Sequence, residues 1–288
     1  MSTPDAAEIQ RIETALQEWR QGDATLDDGT FLVHLADKRT PLTAAARASV
    51  DDVPVEFNLY EVLTSVTGLA VVSQSCDIVK KCADCEYVDV SPLVKIDVAA
   101  QLQAIRKGQQ LRYAYLPGLA PQNLVVDIGR TMTVEKAVLA GWNRIPGCIT
   151  DQDRVDFADA LARKRQRFAF PDIFNAGLTK FRNRLKEKEG KASAEGALIA
   201  ALDQIRVQPN ADWNAPRIAV SFWFLLEPNA NTEINASSRS IIETWVRRIT
   251  LSPPFSLADP QFYFVERRDM TLEDYMQSYR LDYDDLSP

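Results

Sequence analysis

The residues of this chain best suited to chemistry are three cysteines that fall within ten positions, Cys76, Cys82 and Cys85. Cys82 and Cys85 form a Cys-x2-Cys pair at a predicted hairpin, and such a turn can direct two thiolates at one metal ion. A tetrahedral zinc site needs two further ligands, for which Cys76 and either Cys148 or His34 are candidates. The alternative is that these are ordinary small thiols in the core or on the surface. Because the spacing completes no four-ligand pattern, we expect no bound metal and no cofactor.

The same segment also permits a thiol nucleophile. Cys76 lies at the end of a predicted strand, His34 is the only histidine, and Asp77 or Asp37 could orient its imidazole. A cysteine needs a base or a positive neighbour to react near neutral pH. A Cys-dependent hydrolase that uses Cys76, His34 and Asp77 is therefore one functional hypothesis. The alternative is a half-buried strand histidine beside a hydrogen-bonded turn.

Positive charge is concentrated in one part of an otherwise acidic chain. The 288 residues include 33 basic and 40 acidic ones, a formal net charge of −7. Between Arg163 and Lys191, ten basic residues accompany three acidic ones, which gives +7 there and −14 elsewhere. This density is typical of surfaces that contact the phosphates of RNA or DNA. The candidate phosphate-binding residues form what we call the basic strip: Arg163, Lys164, Arg165, Arg167, Lys180, Arg182 and Arg184.

Two other interpretations of the basic strip stay open. A run of charge is often no more than a solvated helix face. The strip could also neutralise acidic residues near the C-terminal end, namely Glu273, Asp274, Asp282, Asp284 and Asp285.

Several common chemistries lack their motifs. The sequence contains no Gly-x-Gly-x-x-Gly and no Walker-type loop, so nucleotide-driven chemistry has no phosphate cradle. A single histidine excludes the His-Glu-x-x-His zinc motif. The longest apolar run is far shorter than the roughly 20 residues that cross a bilayer, so no membrane partner is expected. Few cysteines and a polar N-terminal segment predict a reduced, cytoplasmic protein.

The elements that must position these residues predict an α+β chain in four parts. The sequence predicts an amphipathic helix over residues 1–25, whose apolar stripe could bind a protein partner. Residues 26–145 contain about five short strand patterns, typical of a small β-barrel. Residues 146–203 predict a basic helical segment that includes one continuous helix over Ile173–Glu187. Residues 204–288 predict an α+β C-terminal domain with a central apolar strand near residues 217–226.

The order of elements in residues 29–140 resembles the small Src-homology-3-like barrel of the PemK/MazF growth-inhibiting toxins. The similar patterns are Gly68-Leu-Ala-Val-Val-Ser73, Val88-Asp-Val-Ser-Pro-Leu93, and the strand Leu124–Asp127 that leads into Met132–Lys136. That family cleaves single-stranded RNA with an arginine before the first pattern and a serine or threonine after the second. Here those places hold Thr67-Gly68 and Val94-Lys95, so no catalytic residue is carried over.

These observations lead to three functional hypotheses. The favoured one is a nucleic-acid-associated protein that binds or cleaves RNA, which the resemblance places in a toxin–antitoxin or defence context. The alternatives are a non-catalytic protein–protein interaction module and the Cys-dependent hydrolase. RNA or DNA is accordingly the expected partner.

Overall fold

A computed structural model of the protein describes residues 5–27, 29–52, 58–108, 110–226 and 233–282. The chain divides into two compact units, Met1–Gln166 and Arg167–Pro288. Both contain helices and β-sheets, so the predicted α+β class is confirmed. The boundary between the units falls inside the predicted basic helical segment 146–203, and the four-part division stays a prediction. Among the described residues no helix has both the length and the apolar composition needed to cross a bilayer.

The first unit combines short helices with short strands. Its helices are α1 (Ala6–Leu16), α2 (Ala44–Ser49), α3 (Ser75–Val79), α4 (Ala99–Arg106), α5 (Lys136–Ala140) and α6 (Asp151–Gln166). Its strands are β1 (Ala24–Thr25), β2 (Phe31–Asp37), β3 (Leu59–Ser65), β4 (Leu69–Val71), β5 (Tyr87–Lys95), β6 (Tyr113–Ala114), β7 (Leu124–Asp127) and β8 (Met132–Glu135). Thr150 and Asp153 cap the start of α6 reciprocally, as their spacing predicts: each backbone amide donates to the other side chain, at 2.7 and 3.1 Å.

The main sheet of the first unit forms around β5. Residues 87–90 of this strand pair with β8, residues 90–92 with β4 and residues 93–95 with β7, all antiparallel. The sheet order is β1-β4-β5-β7-β6, with β8 beside β5. Within the described residues the end strands β1 and β6 do not pair with each other, so no closed barrel is found there.

Both faces of the main sheet are covered by apolar cores. Neighbouring residues of one strand face different cores, because alternate side chains point to opposite sides of a sheet. Val71 of β4 faces a core that it shares with Leu16 and Trp19, which belong to the stripe of the N-terminal helix. Ala70 faces a second core, which it shares with Phe157 of α6. The apolar stripe of α1 therefore packs within its own unit, and a protein partner at this helix stays a prediction.

β2 and β3 form a separate antiparallel ribbon. β3 is not among the predicted strands, and it forms because its whole length pairs with β2, from Phe31↔Ser65 to Asp37↔Leu59. On one face of the ribbon Tyr60 packs on α2, and its hydroxyl donates to the carbonyl oxygen of Ala46 at 2.6 Å.

The second unit packs helices on a four-stranded sheet. Its helices are α7 (Asp172–Gly177), α8 (Thr179–Lys188), α9 (Ala194–Ala201), α10 (Ala236–Val246) and α11 (Leu272–Gln277). Its strands are β9 (Leu202–Pro209), β10 (Ile218–Leu226), β11 (Phe255–Glu266) and β12 (Tyr279–Arg280), in the order β11-β10-β9-β12. β10 is the predicted apolar central strand, and its Phe224 lies against Phe181 of α8 and Trp245 of α10.

The prediction of one helix over Ile173–Glu187 is wrong. The structure ends α7 at Gly177 and begins α8 at Thr179. The carbonyl oxygen of Gly177 accepts a hydrogen bond from the amide of Thr250 at 3.0 Å. A Cβ at position 177 would lie 2.8 Å from the Thr250 carbonyl oxygen, so glycine is required for this close approach. The break is set by a partner far along the chain, which a local pattern does not contain.

Two loops of the first unit also pack backbone against backbone. The amide of Gly118 donates to the carbonyl oxygen of Gly147 at 2.8 Å. A Cβ at Gly147 would overlap the carbonyl oxygen of Gly22. Glycine at position 147 is therefore a packing requirement.

We expect Gly147→Ala to lower the free energy of unfolding by roughly 1–3 kcal/mol, because the added methyl group overpacks the contact. Gly141→Ala is the control, since its Cβ would approach no closer than 3.4 Å, to the Val138 carbonyl oxygen. Urea denaturation of both variants measures the difference. Equal stability of the two would contradict the tight contact.

Candidate nucleic-acid interface

A buried carboxylate organises one edge of the first unit. The side chain of Asp127, the last residue of β7, is 0% exposed. Arg112 donates to it twice, from Nε to Oδ1 at 3.1 Å and from Nη2 to Oδ2 at 2.8 Å. Nε of Arg130 donates to the same Oδ2 at 2.8 Å. A carboxylate removed from water requires such partners, because its desolvation is costly.

Local chain geometry brings these three side chains together. β6 pairs with β7 so that Tyr113 lies opposite Asp127, and Arg112 directly precedes Tyr113. After β7 the amide of Gly129 donates to Asp127 Oδ1 at 3.2 Å, and the amide of Arg130 donates to the Asp127 carbonyl oxygen at 3.1 Å. This turn directs Arg130 back towards the carboxylate.

The ion pairs decide the protonation state of Asp127. Burial alone would raise the pKa of this carboxyl, but hydrogen bonds and charge from Arg112 and Arg130 outweigh burial and hold the pKa below its ordinary value. The hydrogen bond to Asp127 in turn raises the pKa of Arg112. At neutral pH the cluster therefore holds two guanidinium ions and one carboxylate, a net charge of +1.

Two tyrosines extend this cluster. The guanidinium carbon of Arg112 lies 5.5 Å from the centre of the Tyr113 ring, and that of Arg106 lies 5.6 Å from the centre of the Tyr115 ring. Cation–π attraction favours this placement of a cation over a ring. Both tyrosines pack on the same small apolar core beside α4. We call Arg106, Arg112, Tyr113, Tyr115 and Arg130 the Arg/Tyr surface.

The Arg/Tyr surface is open to solvent although its acid is buried. The side chain of Arg112 is 57% exposed and that of Arg130 is 39% exposed, and Arg106 is also exposed. Three guanidinium groups thus accompany one carboxylate, and the excess positive charge faces water. Such a surface can donate hydrogen bonds to phosphate oxygens and stack against planar bases.

The basic strip is divided between the two units. The first unit holds Arg163, Lys164 and Arg165 in the last turn of α6, and the second unit holds Arg167, Lys180, Arg182 and Arg184. Arg163 donates through Nη1 to the carbonyl oxygen of Gly108, two residues after Arg106. Arg163 therefore flanks the Arg/Tyr surface. Cations in a last helical turn also stabilise the negative end of the helix dipole.

In the second unit Arg184 belongs to an internal ion pair. Its Nη2 lies 2.9 Å from Oε1 of Glu195, and its Nη1 lies 3.3 Å from Oε1 of Glu187. These acids raise the pKa of Arg184, with the hydrogen bond to Glu195 as the largest cause. The contacts of Arg184 favour a local ion pair over a phosphate ligand, and its acids are not the C-terminal ones of the predicted counter-charge. Lys180 is exposed and lines a surface cavity beside Thr179 and Thr250.

The acidic residues near the C-terminal end have partners close to them in the chain. Asp274 accepts from the side chain of Thr271 at 2.5 Å, and Glu273 accepts from the side chain of Gln277 at 3.1 Å. Oδ1 of Asp282 lies 3.3 Å from Nε of Arg280. Asp284 and Asp285 lie outside the described residues.

The structure places Cys76 in the short helix α3, so the prediction that it lies at the end of a strand is wrong: β4 already ends at Val71. β4 and β5 do pair as consecutive antiparallel strands, and the three cysteines lie in the connection between them. After β4 the chain enters α3. The hydroxyl of Ser73 accepts a hydrogen bond from the amide of Asp89 at 2.7 Å, and that of Ser75 accepts one from the amide of Gln21 at 3.0 Å. These long-range hydrogen bonds fix the backbone at the N-terminal end of α3.

The polar neighbours of Cys76 come from its own helix. Its Sγ lies 3.8 Å from Oε1 of Gln74 and 3.9 Å from Oδ1 of Asp77. The same oxygen of Asp77 lies 2.6 Å from Nζ of Lys80. Asp77 is therefore paired with a lysine and does not orient an imidazole.

His34 lies on β2, and its Nε2 is 3.5 Å from Oγ1 of Thr43. Asp37 is bound by Arg39 at 2.8 Å, and this hydrogen bond lowers the pKa of Asp37 to about 2. The described contacts therefore do not assemble Cys76, His34 and either acid into one site. The Cys-dependent hydrolase stays a prediction without supporting geometry.

The remaining metal candidates are also separate. Cys82 and Cys85 are half-buried in the turn after α3, whereas Cys148 lies in the core. Burial raises the pKa of Cys148 to about 11. Within the described ranges, no group of three or more His, Cys, Asp or Glu side chains is arranged to hold a metal ion.

The basic strip does not include the arginines of the Arg/Tyr surface. Arg106, Arg112 and Arg130 are scattered along the chain, so the local density of positive charge does not indicate them. One usable signal was the interleaving of basic and aromatic residues in Arg112-Tyr113-Ala114-Tyr115. The pairing of Arg112 with Asp127, fifteen positions later, has no local signal.

We expect Asp127→Asn to lower the free energy of unfolding by roughly 1.5–3 kcal/mol at neutral pH, because the buried side chain loses its charge-assisted hydrogen bonds to Arg112 and Arg130. The folded-state pKa of Asp127 is depressed, so its contribution is complete above the ordinary carboxyl pKa and is lost as the pH falls through the folded-state value. Urea denaturation of both proteins at neutral and acidic pH tests this. A stability difference that does not change with pH would contradict the assignment. Asp37→Asn removes an exposed pair and should have a much smaller effect.

Arg184→Ala should lower the melting temperature by a few degrees, because Glu195 loses its ion-pair partner. It should leave nucleic-acid affinity unchanged. Arg239→Ala removes one exposed positive charge from the same unit and serves as the control. Thermal unfolding and fluorescence anisotropy with labelled RNA measure the two properties. Lost affinity without lost stability would restore Arg184 to the phosphate-binding candidates.

No protein-family model matches this sequence, and no curated protein sequence matches it either. The chemistry of the Arg/Tyr surface is therefore inferred from its own residues.

Proposed function

We propose that the first unit binds single-stranded nucleic acid, RNA in particular, through the Arg/Tyr surface. The observation that carries this proposal is the pair of solvent-accessible guanidinium groups held on buried Asp127 beside Tyr113 and Tyr115. Guanidinium groups bind phosphate oxygens in a planar, bidentate geometry. Aromatic rings next to such cations stack the bases of single strands, and they do so with little sequence preference.

The ion pairs with Asp127 favour binding in two ways. They hold Arg112 and Arg130 in one geometry, so less side-chain freedom is lost when a phosphate arrives. They also neutralise the one acid in the cluster, so the remaining charge attracts phosphate. Because the whole chain carries −7, this attraction is local and is expected to weaken steeply with salt.

A small barrel related to the PemK/MazF toxins remains part of the proposal at the level of fold. Its support is the antiparallel pairing of β4 with β5 and of β5 with β7, which uses the strands of the resembling patterns. We propose binding rather than cleavage. Lys95, which follows the second pattern, pairs with Asp97 at 3.2 Å, and neither Thr67 nor Val94 is the residue type that the resemblance requires.

The double variant Arg106→Ala with Arg130→Ala tests the surface. We expect at least a tenfold loss of affinity for a fluorescein-labelled single-stranded RNA, measured by anisotropy, from roughly 1 kcal/mol per lost phosphate contact. The slope of log affinity against log salt should become shallower by about 1.4, or about 0.7 for each phosphate contact. Arg247→Ala with Arg248→Ala removes two exposed charges from the second unit and should leave both values unchanged.

Three outcomes would overturn the proposal. Failure of the wild-type protein to bind RNA or DNA at low salt would favour the protein–protein interaction module. Equal losses in the two double variants would mean that binding follows net charge and not the Arg/Tyr surface. A preference for duplex over single strand would exclude base stacking on the tyrosines.

A further inference from the structure

The two cysteines after α3 lie in one helical turn. The amides of Asp84 and Cys85 both donate to the carbonyl oxygen of Lys81, at 3.0 and 3.1 Å. The amide of Cys82 donates to Oε1 of Glu13 on α1 at 2.8 Å, which holds the start of the turn. Residues three apart in such a turn are neighbours, with Cβ atoms about 5–6 Å apart. The Cβ atoms of a disulfide lie roughly 3.5–4.5 Å apart, so the two cysteines need to approach each other by only about 1–2 Å.

A buried cation lies beside this turn. Lys136 is 1% exposed, and its Nζ donates to the carbonyl oxygen of Lys80 at 2.8 Å. An ammonium group has three donors, and the partner described here is a neutral oxygen. Burial and the charge of Glu13 raise the pKa of the Cys82 thiol, and the charge of Lys136 opposes both. On balance the pKa of Cys82 lies above its ordinary value, so exchange at this thiol should be faster as the pH rises.

The turn is also accessible. Cys82 and Cys85 are half-buried, and Sγ of Cys85 lies 3.4 Å from the carbonyl oxygen of Tyr87 at the start of β5. Cys148, in contrast, is buried in the core. Reagents in solution can therefore reach the pair in the turn.

We propose that Cys82 and Cys85 form a reversible disulfide by exchange with a low-molecular-weight disulfide. In the first step one cysteine thiolate attacks a sulfur of the small disulfide, which forms a mixed disulfide and releases one small thiolate. In the second step the other cysteine thiolate attacks the mixed disulfide, which forms the Cys82–Cys85 bond and releases the second small thiolate. The two cysteines are oxidised, the small disulfide is reduced, and the two cysteine protons end on the released thiols.

The experiment exposes the full chain to oxidised and reduced glutathione in varied ratios, followed by alkylation, tryptic digestion and mass spectrometry. Cleavage after Lys81 and Lys95 yields one peptide, residues 82–95, that contains both cysteines and separates them from Cys76 and Cys148. We expect this peptide to lose two hydrogens and both alkylation sites as the ratio rises. Reduced glutathione should reverse the change, while the peptide with Cys148 stays fully alkylated.

Single variants test the two-step route. Cys82→Ser and Cys85→Ser should each stop at a mixed disulfide with glutathione on the remaining cysteine. Cys76→Ser, the control in the neighbouring helix, should form the Cys82–Cys85 bond as the wild type does. A disulfide that includes Cys76, a wild-type protein that stops at the mixed disulfide, or a peptide 82–95 that stays reduced at every ratio would each overturn the proposal.

Discussion

The candidate site depends on the burial of one carboxylate. Asp127 ends a strand whose residues are all buried, so its charge must be met inside the protein. Arg112 and Arg130 bind it from two directions, one from the residue just before β6 and one from the turn after β7. Each arginine loses side-chain freedom in doing so, yet keeps much of its surface in water. A requirement of stability thereby produces an ordered, positively charged surface.

The same chemistry has the opposite consequence in the second unit. Arg184 also holds an acid, Glu195, but there a second acid, Glu187, lies within 3.3 Å. One arginine shared by two acids leaves no excess positive charge, whereas two arginines on Asp127 leave one. The sequence alone shows basic and acidic residues in both regions and does not distinguish the two arrangements. The difference is which residues the fold brings together, and this decides whether a basic residue is available to a phosphate.

The elements that local patterns predict well are those with local causes. The capping pair Thr150 and Asp153 lies three residues apart, and the apolar run of β10 is itself the signal for a central strand. β3, the break after Gly177 and the helix that contains Cys76 each depend on distant hydrogen bonds. The candidate site falls in the second class. Arg112 and Tyr113 show the interleaving of charge and ring, but nothing near them in the sequence announces Asp127.

One strand connects the cysteine turn to the Arg/Tyr surface, and the two sites are nevertheless separate. β5 begins two residues after Cys85 and pairs with β8, which follows Arg130 closely in the chain. A hydrogen bond from Thr133 to Asp89, at 2.8 Å, strengthens that pairing. The guanidinium of Arg130, however, is held by the buried carboxylate of Asp127 at the end of β7, at 2.8 Å. The pairing of β5 with β8 positions only the backbone that follows Arg130, whereas Asp127 of β7 positions the Arg130 guanidinium. A conformational change at the cysteine turn is therefore not expected to move the charge of the Arg/Tyr surface.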